Sequence, residues 1–226
     1  MKDSKTAILI FAHSAEYEAK MKPFQHSKEV FESLNEHVVQ LVKRTKLPYF
    51  LVTEKEQKGS SFAERFTNAI QSIYDLGYDS IITIGNDTPH LTTKKLLRAK
   101  EALLKKDVVL GKSTDGGFYL LGIKKQHFNP TLLLKLPWQN HNLTRYLKQL
   151  FVVQKIEVFY LETLNDIDKL KDISLFINSY RKVYSNLHLL LLQIIFGFNA
   201  ITTYLFEEIT FLFQSKFYNK GSPCSI

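Results

Sequence analysis

Short apolar runs alternate along the chain with longer stretches that carry apolar residues at helical spacing, which predicts alternating strands and helices. Six runs have strand length: Thr6–Ala12, Tyr49–Thr53, Ser80–Gly85, Asp107–Gly111, Gly117–Ile123 and Ile156–Leu161. Helices are predicted over Ser27–Arg44, over Phe62–Leu76 behind a Ser61–Glu64 capping box, after Thr92 or Thr93, and over Asn142–Phe151 and Asp172–Tyr184. His13–Pro23 is predicted to be a loop. This order of elements predicts an α/β domain, with a mostly parallel sheet and helices on both faces.

A change in composition after Lys182 divides the chain into a domain, residues 1–182, and an apolar appendage with a short polar tail, residues 183–226. Val183–Phe206 carries no formal charge and is long enough for a membrane span. Its polar residues, among them Asn186, Gln193 and Asn199, argue against a helix that faces lipid. We expect this segment to pack onto the domain or onto a partner, such as a second copy in a homodimer. The alternatives are a membrane-spanning helix and attachment to a membrane surface through residues 183–213.

Charge and cysteine content exclude several classes of protein. The net charge is +8, but the lysines occur as scattered pairs and no basic run is interleaved with aromatic residues. The pattern therefore predicts no nucleic-acid binding and instead favours a surface that attracts phosphorylated small molecules. Cys224 is the single cysteine, so neither an intramolecular disulfide nor a cysteine zinc site is available. A cytoplasmic location is the default expectation.

Two short turns that carry carboxylates follow predicted strands. The first is Gly85–Pro89, which contains Asp87, and the second is Asp115–Gly117. Ligands of open α/β sheets bind outside the carboxyl ends of the strands, and Mg²⁺ in such sites takes one or two carboxylates together with substrate phosphates. Asp166 and Asp168 follow the last predicted strand and could approach the same edge. The alternative interpretation is local: Asp87 caps the next helix and Asp115 only makes a turn.

The same turns carry a resemblance to a known family. Ile84–Thr92, Asp107–Gly111 and Asp115–Gly122 resemble the DUF2064 family of GT-A-type glycosyltransferase-like proteins, which are related to nucleotidyltransferases. Phe62–Phe66 after Gly59, Leu136–Trp138 and Asn165–Ile173 agree in order with further family motifs, so the similarity covers roughly residues 6–180. The resemblance implies a GT-A-like fold, also called the nucleotide-diphospho-sugar transferase fold.

The resemblance also implies roles for individual residues. Asp87 matches the acid that faces the metal and the nucleotide-sugar diphosphate, and Asp168 matches a late acid that completes the metal site, ahead of Asp166. Asp115 is the candidate catalytic residue that orients or deprotonates the acceptor. The remaining matches are residues on the donor side and on the substrate side: Arg65, Lys20 and Lys22 for the nucleotide donor, and Gly116, Gly117 and Trp138 for the substrate-side turn and loop.

One departure from the family lies in the first loop. The family has a basic, glycine-containing segment there, whereas this chain has His13–Pro23, with Glu16 and Glu18 and only Lys20 and Lys22 as cations. Fewer cations and more carboxylates weaken the binding of a diphosphate unless a metal compensates.

The favoured function is transfer of a sugar from a nucleotide-sugar to a small-molecule acceptor with a divalent cation, Mg²⁺ or Mn²⁺. The first alternative is nucleotidyl transfer from a nucleoside triphosphate on the same scaffold. The second is a non-catalytic binding or assembly protein that kept the fold and lost the phosphate-binding loop. Fold similarity alone does not decide among the three.

Overall fold

The computed structural model describes residues 5–169, 171–173 and 191–192. Its centre is a six-stranded sheet with the order β2-β1-β3-β5-β4-β6. The strands are β1 (Thr6–Phe11), β2 (Tyr49–Val52), β3 (Ser80–Ile84), β4 (Val108–Lys112), β5 (Phe118–Lys124) and β6 (Val158–Tyr160). Only β5 runs antiparallel to its neighbours, β3 and β4, and the other neighbouring strands are parallel. The predicted mostly parallel sheet is confirmed.

Helices cover both faces of the sheet, as the sequence predicts. The helices are α1 (Ala15–Met21), α2 (Ser27–Thr45), α3 (Phe62–Asp75), α4 (Thr93–Lys105), α5 (Pro130–Leu134) and α6 (Leu143–Val153). One face packs against α2 and α4 through a cluster that includes Val38, Val42 and Leu96. The opposite face packs against α3, α5 and α6 through a cluster that includes Ile70 and Leu147. The two apolar layers fix the strands, so the loops at the strand ends are held in place.

Local capping explains where helices begin. Ser61 and Glu64 form the predicted capping box, because the Ser61 hydroxyl accepts from the Glu64 N–H while the Glu64 carboxylate accepts from the Ser61 N–H. Of the two threonines proposed for the next helix, Thr92 is the cap, and its side chain accepts from the Lys95 N–H. Asp87 is therefore not the cap of α4.

The expected loop at His13–Pro23 is wrong, since most of it is helix α1. Ser14 begins this helix by accepting from the Tyr17 N–H, and its own N–H and hydroxyl both donate to the Glu54 carboxylate at 2.7 Å. Glu16 and Glu18 lie in the first turn, where a negative charge is stabilised by the helix dipole. The glutamates that depart from the family pattern thus favour a helix in place of a loop.

Most of the predicted appendage, the predicted helix Asp172–Tyr184 beyond residue 173, and Cys224 lie outside the described residues. Leu191 and Leu192 are described, and both are buried. Leu191 belongs to an apolar cluster that includes residues of α1 and α2 and is formed by Ala15, Val30, Phe31, Leu34, Ile167, Ile173 and Leu191. Within the described residues, no helix has the length and apolar character needed to cross a membrane.

Candidate functional site

The sheet register brings the predicted acidic turns to one edge. Ile84, at the carboxyl end of β3, pairs with Leu120 near the start of antiparallel β5, and Leu120 also pairs with Gly111 near the end of β4. The Asp87 turn after β3 and the Asp115 turn before β5 therefore leave the sheet on the same side. Strand β6 runs parallel to β4, so the segment with Asp166 and Asp168 reaches this edge as well.

A cavity of about 460 Å³ opens at this edge, which is a usual size for a small-molecule site. One part of its wall is polar and acidic: His13, Glu18, Lys22, Asn86, Asp87, Ser113, Asp115, Asp166 and Asp168. Another part is largely aromatic, with one cation: Tyr17, Phe62, Arg65, Phe66, Phe118 and Trp138. The cavity thus offers charged groups to one part of a ligand and planar apolar groups to another.

The turn that carries Asp87 is anchored from both sides. The buried Asn86 side chain donates to the Asn35 carboxamide oxygen at 2.8 Å and to the His13 carbonyl at 3.5 Å. The Asp87 carbonyl accepts from the Ile167 N–H at 2.9 Å, which ties this turn to the segment between Asp166 and Asp168. These contacts hold the turn in place, so the Asp87 side chain extends from a fixed backbone in the cavity wall.

Asp87 and Asp168 are brought together by Lys22. The Lys22 ammonium lies 2.6 Å from Asp168 Oδ1, 3.2 Å from Asp87 Oδ2 and 3.7 Å from Glu18 Oε2. Glu18 is 6% exposed and also lies 3.3 Å from His13 Nδ1. One ammonium group therefore lies among three carboxylates.

The charges in this cluster change the acidity of its members. Burial alone lowers the pKa of Lys22, but the nearby charges of Asp87, Glu18 and Asp168 outweigh it, so the pKa lies above its ordinary value. Burial raises the pKa of Asp87, Lys22 opposes this rise, and the charges of Asp168 and Glu18 add to it. A positive charge at this place is therefore strongly favoured, and it partly offsets the cost of ionising Asp87.

Asp168 is positioned by its own segment. The Asp172 carboxylate accepts from the N–H groups of Asp168 at 3.1 Å and Lys169 at 2.8 Å. Ile167, between the two acids, is buried in the cluster that contains Leu191. These contacts give a physical reason for the spacing of the Asp166–Asp172 motif, in which one acid faces the cavity and a later acid holds the backbone.

Asp166 also lines the cavity and accepts from the Thr88 hydroxyl at 2.6 Å. Burial, together with the charge of Asp87, raises the pKa of Asp166 to about 8. Asp166 is therefore largely protonated at neutral pH, unlike an aspartate on the surface. The family resemblance ranks Asp166 below Asp168 as a metal ligand, and the partly buried hydrogen bond from Thr88 is its distinguishing feature.

We expect Asp166→Asn to stabilise the chain in a pH-dependent way. The folded protein keeps the Asp166 proton up to about pH 8, whereas the unfolded chain loses it near pH 4, so ionisation costs stability as pH rises through that window. Asparagine accepts the same hydrogen bond and does not ionise. Urea denaturation should show a gain of about 1–3 kcal/mol at pH 8 that shrinks toward pH 5. An equal gain at both pH values would contradict this assignment.

The Asp115 turn is built by backbone contacts. The Asp115 carboxylate accepts from the Gly117 N–H at 2.9 Å, so the predicted turn-making role is real. The Thr144 N–H at the start of α6 donates to the Gly116 carbonyl at 3.1 Å, and the Thr144 hydroxyl donates to the carbonyls of Gly116 and Gly117. Asp115 is exposed on the cavity wall, where it is accessible to a ligand.

The other predicted residues fall into two groups. Arg65 lines the cavity, and its guanidinium donates to the Gln57 side chain and the Ser60 carbonyl, which are neutral groups. Trp138 also lines the cavity; it packs on Phe62 and Phe66, and its indole N–H donates to the Leu133 carbonyl. Lys20, in contrast, is exposed on α1 and is not part of the cavity wall.

Sequence reasoning missed Glu18 and Asn86 as members of the site. From the sequence, Glu18 is only a departure from the family pattern that weakens phosphate binding. A signal was present, because on a helix Glu18 lies four residues before Lys22, the spacing of an ion pair. Asn86 gave no signal beyond its place before Asp87, because its partners come from elements distant in the sequence.

The donor set at this edge fits a divalent cation bound together with a phosphate ligand. The Lys22 ammonium is a stand-in cation that contacts one oxygen each of Asp87 and Asp168. Within residues 5–169, 171–173 and 191–192, no group of three His, Cys, Asp or Glu side chains is arranged to hold a metal. Two carboxylates are a suitable number for Mg²⁺ or Mn²⁺ that completes its shell with phosphate and water.

Comparison with known proteins tests the family resemblance. The family model described as "Uncharacterized protein conserved in bacteria (DUF2064)" matches residues 28–140, half of the chain, and confirms the resemblance drawn from the motifs. No curated protein matches the sequence.

Solved structures of other proteins share the fold, two of them as follows. A candidate nucleotide-diphospho-sugar transferase from Desulfovibrio desulfuricans G20 has a TM-score of 0.72 at 20% identity, covering 84% of this chain and 94% of that one. A 4-diphosphocytidyl-2C-methyl-D-erythritol synthase from Anaerococcus prevotii DSM 20548 has a TM-score of 0.52 at 13% identity, covering 76% of this chain and 96% of that one. The predicted GT-A-like fold is confirmed.

Proposed function

Because the chain belongs to the DUF2064 family and has the nucleotide-diphospho-sugar transferase fold, we propose that it transfers a sugar from a nucleotide-sugar to a small-molecule acceptor. The observation that carries the proposal is the pairing of Asp87 with Asp168 around one positive charge in the wall of the cavity. A carboxylate pair that favours a cation is suited to bind the diphosphate of a nucleotide-sugar through that cation.

Each part of the cavity has a function in this proposal. Asp87 and Asp168 hold a divalent cation, which when bound neutralises charge on the departing nucleoside diphosphate. Arg65 faces the donor with a guanidinium whose present partners are neutral. Trp138 and Phe62 provide planar apolar walls that orient a ligand and exclude water.

Asp115 is the residue proposed to act on the acceptor. Its carboxylate lies on the exposed part of the cavity wall, on a turn that Thr144 fixes. From there it orients the acceptor hydroxyl and takes its proton as that oxygen bonds to the sugar. The carbon–oxygen bond to the diphosphate breaks in the same transfer, and the nucleoside diphosphate leaves.

The experiment that tests the proposal identifies the released product. The protein is incubated with Mn²⁺ and a panel of nucleotide-sugars and, separately, with nucleoside triphosphates and sugar phosphates. We expect a nucleoside diphosphate to be released from one nucleotide-sugar. Pyrophosphate released from a nucleoside triphosphate would instead support nucleotidyl transfer. No product and no ligand binding in a folded sample would support the non-catalytic alternative.

Asp115→Asn separates binding from chemistry. Asparagine also accepts from the Gly117 N–H, so the turn should persist and the affinity for the nucleotide-sugar should change less than about threefold. Loss of the base should lower turnover by about 10²–10⁴-fold. Ligand affinity is measured by calorimetry and turnover by nucleoside diphosphate release. Unchanged turnover would remove Asp115 from the mechanism.

A further inference from the structure

Lys22 lies where a metal bound to Asp87 and Asp168 would lie. Its ammonium is 2.6 Å from one Asp168 oxygen and 3.2 Å from one Asp87 oxygen. Mg²⁺ contacts carboxylate oxygens at about 2.0–2.1 Å, so a cation shared by these oxygens needs the space of the ammonium group. The Lys22 ammonium and a metal ion in the same place would also repel each other, because both are positively charged. The ammonium and the metal cannot both occupy the place between the two carboxylates.

The single positive charge of Lys22 does not balance the negative charge of the cluster, so Lys22 alone does not make the site favourable for a diphosphate. When Asp87, Asp168 and Glu18 are ionised, one ammonium leaves an excess of two negative charges. A diphosphate brings further negative charge into the same cavity, and like charges at short range in a partly buried site repel strongly. If a divalent cation lies between Asp87 and Asp168 and the ammonium stays nearby, the two cations together carry three positive charges. These balance the three negative charges of the carboxylates.

The Lys22 side chain is able to move. Lys22 is the residue that follows the last residue of α1, it lines the cavity, and its side chain is 21% exposed. Its four-carbon stem is flexible and carries a point charge with three donors, so it can bind either carboxylate or phosphate oxygens. The backbone that holds it is fixed, because the Ser27 hydroxyl donates to the Lys22 carbonyl at 2.8 Å.

From these observations we propose that Lys22 is an exchangeable counter-ion, an inference that rests on the proposed function. In the ligand-free protein its ammonium holds Asp87 and Asp168 together. A divalent cation that arrives with a diphosphate displaces the ammonium from the carboxylates, and the freed ammonium then pairs with the diphosphate. Lys22 is thus a positioning residue in one state and a phosphate ligand in the other.

This exchange couples the two ligands to each other. A cation alone must displace Lys22 without giving it a new partner, so its binding to the wild type is weak. A diphosphate provides that partner, and each ligand therefore strengthens the binding of the other. Removing the ammonium should therefore affect the two ligands in opposite directions. The metal alone should bind more tightly, and the diphosphate should bind more weakly.

The first experiment measures Mn²⁺ binding alone, from the spectrum of free Mn²⁺ by electron paramagnetic resonance. We expect Lys22→Met to bind Mn²⁺ at least about tenfold more tightly than the wild type, because the competing charge is gone. Lys20→Met, the same change at an exposed position of α1, should bind like the wild type. Lys22→Arg keeps the charge and should bind Mn²⁺ weakly. Equal or weaker binding in Lys22→Met would overturn the proposal.

The second experiment measures binding of inorganic pyrophosphate by equilibrium dialysis in excess Mn²⁺. Here Lys22→Met should bind at least about tenfold more weakly than the wild type and Lys20→Met. If Lys22→Met binds pyrophosphate as tightly as the wild type does, the proposed exchange is overturned. If Lys22→Met does not fold, Lys22→Gln, which can donate to Asp168, takes its place. Neither probe is a sugar donor, so these results stand or fall separately from nucleotide-sugar turnover.

Discussion

Asp87→Asn is expected to lower kcat/KM for the nucleotide-sugar by at least about 100-fold, because it removes one of the two carboxylates that hold the cation. The loss should not come from unfolding. Burial and the neighbouring carboxylates raise the pKa of Asp87, so its ionised form costs the folded state free energy that asparagine does not. We expect the free energy of unfolding to stay the same or to increase.

Asp75→Asn is the matched control, since Asp75 is an exposed aspartate at the end of α3 that contacts Gln71. It should retain wild-type turnover. Urea denaturation of both variants separates a loss of function from a loss of fold. Wild-type turnover in Asp87→Asn would show that the reaction does not depend on this carboxylate.

Gly116→Ala is expected to destabilise the chain by about 3 kcal/mol or more, which is the largest stability effect in this account. Gly116 has φ = +96°, and an added Cβ would lie 1.8 Å from the His141 carbonyl oxygen. That oxygen belongs to the backbone just before α6, so relief of the clash requires the Asp115 turn to move away from α6. Thermal unfolding should show the loss, and turnover should fall because the turn carries Asp115.

Gly77→Ala isolates the backbone contribution to this effect. Gly77 has a similar φ of +88°, but nothing lies within 4 Å of an added Cβ. It should cost only about 1–2 kcal/mol, the strain of a positive φ in a residue with a side chain. Equal losses in the two variants would mean that contact with His141 does not fix the Asp115 turn.

Most of the fold was predictable because the apolar residues that form the two layers recur at regular spacing along the sequence. All six strands and four of the helices come from local patterns, and the Ser61–Glu64 capping box is a purely local signal. The short helix Pro130–Leu134 was not predicted, since five residues give too little periodicity to detect. The pairing of β5 between β3 and β4 depends on the whole sheet and has no local signal.

The site was predicted only in outline. Asp87, Asp115 and Asp168 each follow or precede a predicted strand, and the family resemblance favours Asp168 over Asp166. The position of Lys22 between two of them depends on helix α1, which replaced the predicted loop. Lys22, which the family resemblance assigns to the nucleotide donor, therefore contacts carboxylates in the structure. This arrangement depends on contacts between three segments that are distant in the sequence, residues 14–22, 85–88 and 166–172.

The acids at this edge also show how stability and function are balanced. Asp87 and Asp166 both have raised pKa values because they are buried among other carboxylates. Groups of this kind reduce stability, and they are common where a protein prepares a site for an external cation or proton. The stability gain expected for Asp166→Asn and the retained stability expected for Asp87→Asn follow from the same cause.

The most direct test of the central claim is thermal unfolding with a panel of nucleotide-sugars, with and without Mn²⁺, on the wild type and Asp87→Ala. A ligand that binds only the folded state raises the apparent melting temperature. We predict that one nucleotide-sugar stabilises the wild type only when Mn²⁺ is present, and that Asp87→Ala loses this effect. Stabilisation that persists in Asp87→Ala, or no stabilisation of a folded wild type by any nucleotide-sugar, would contradict the account.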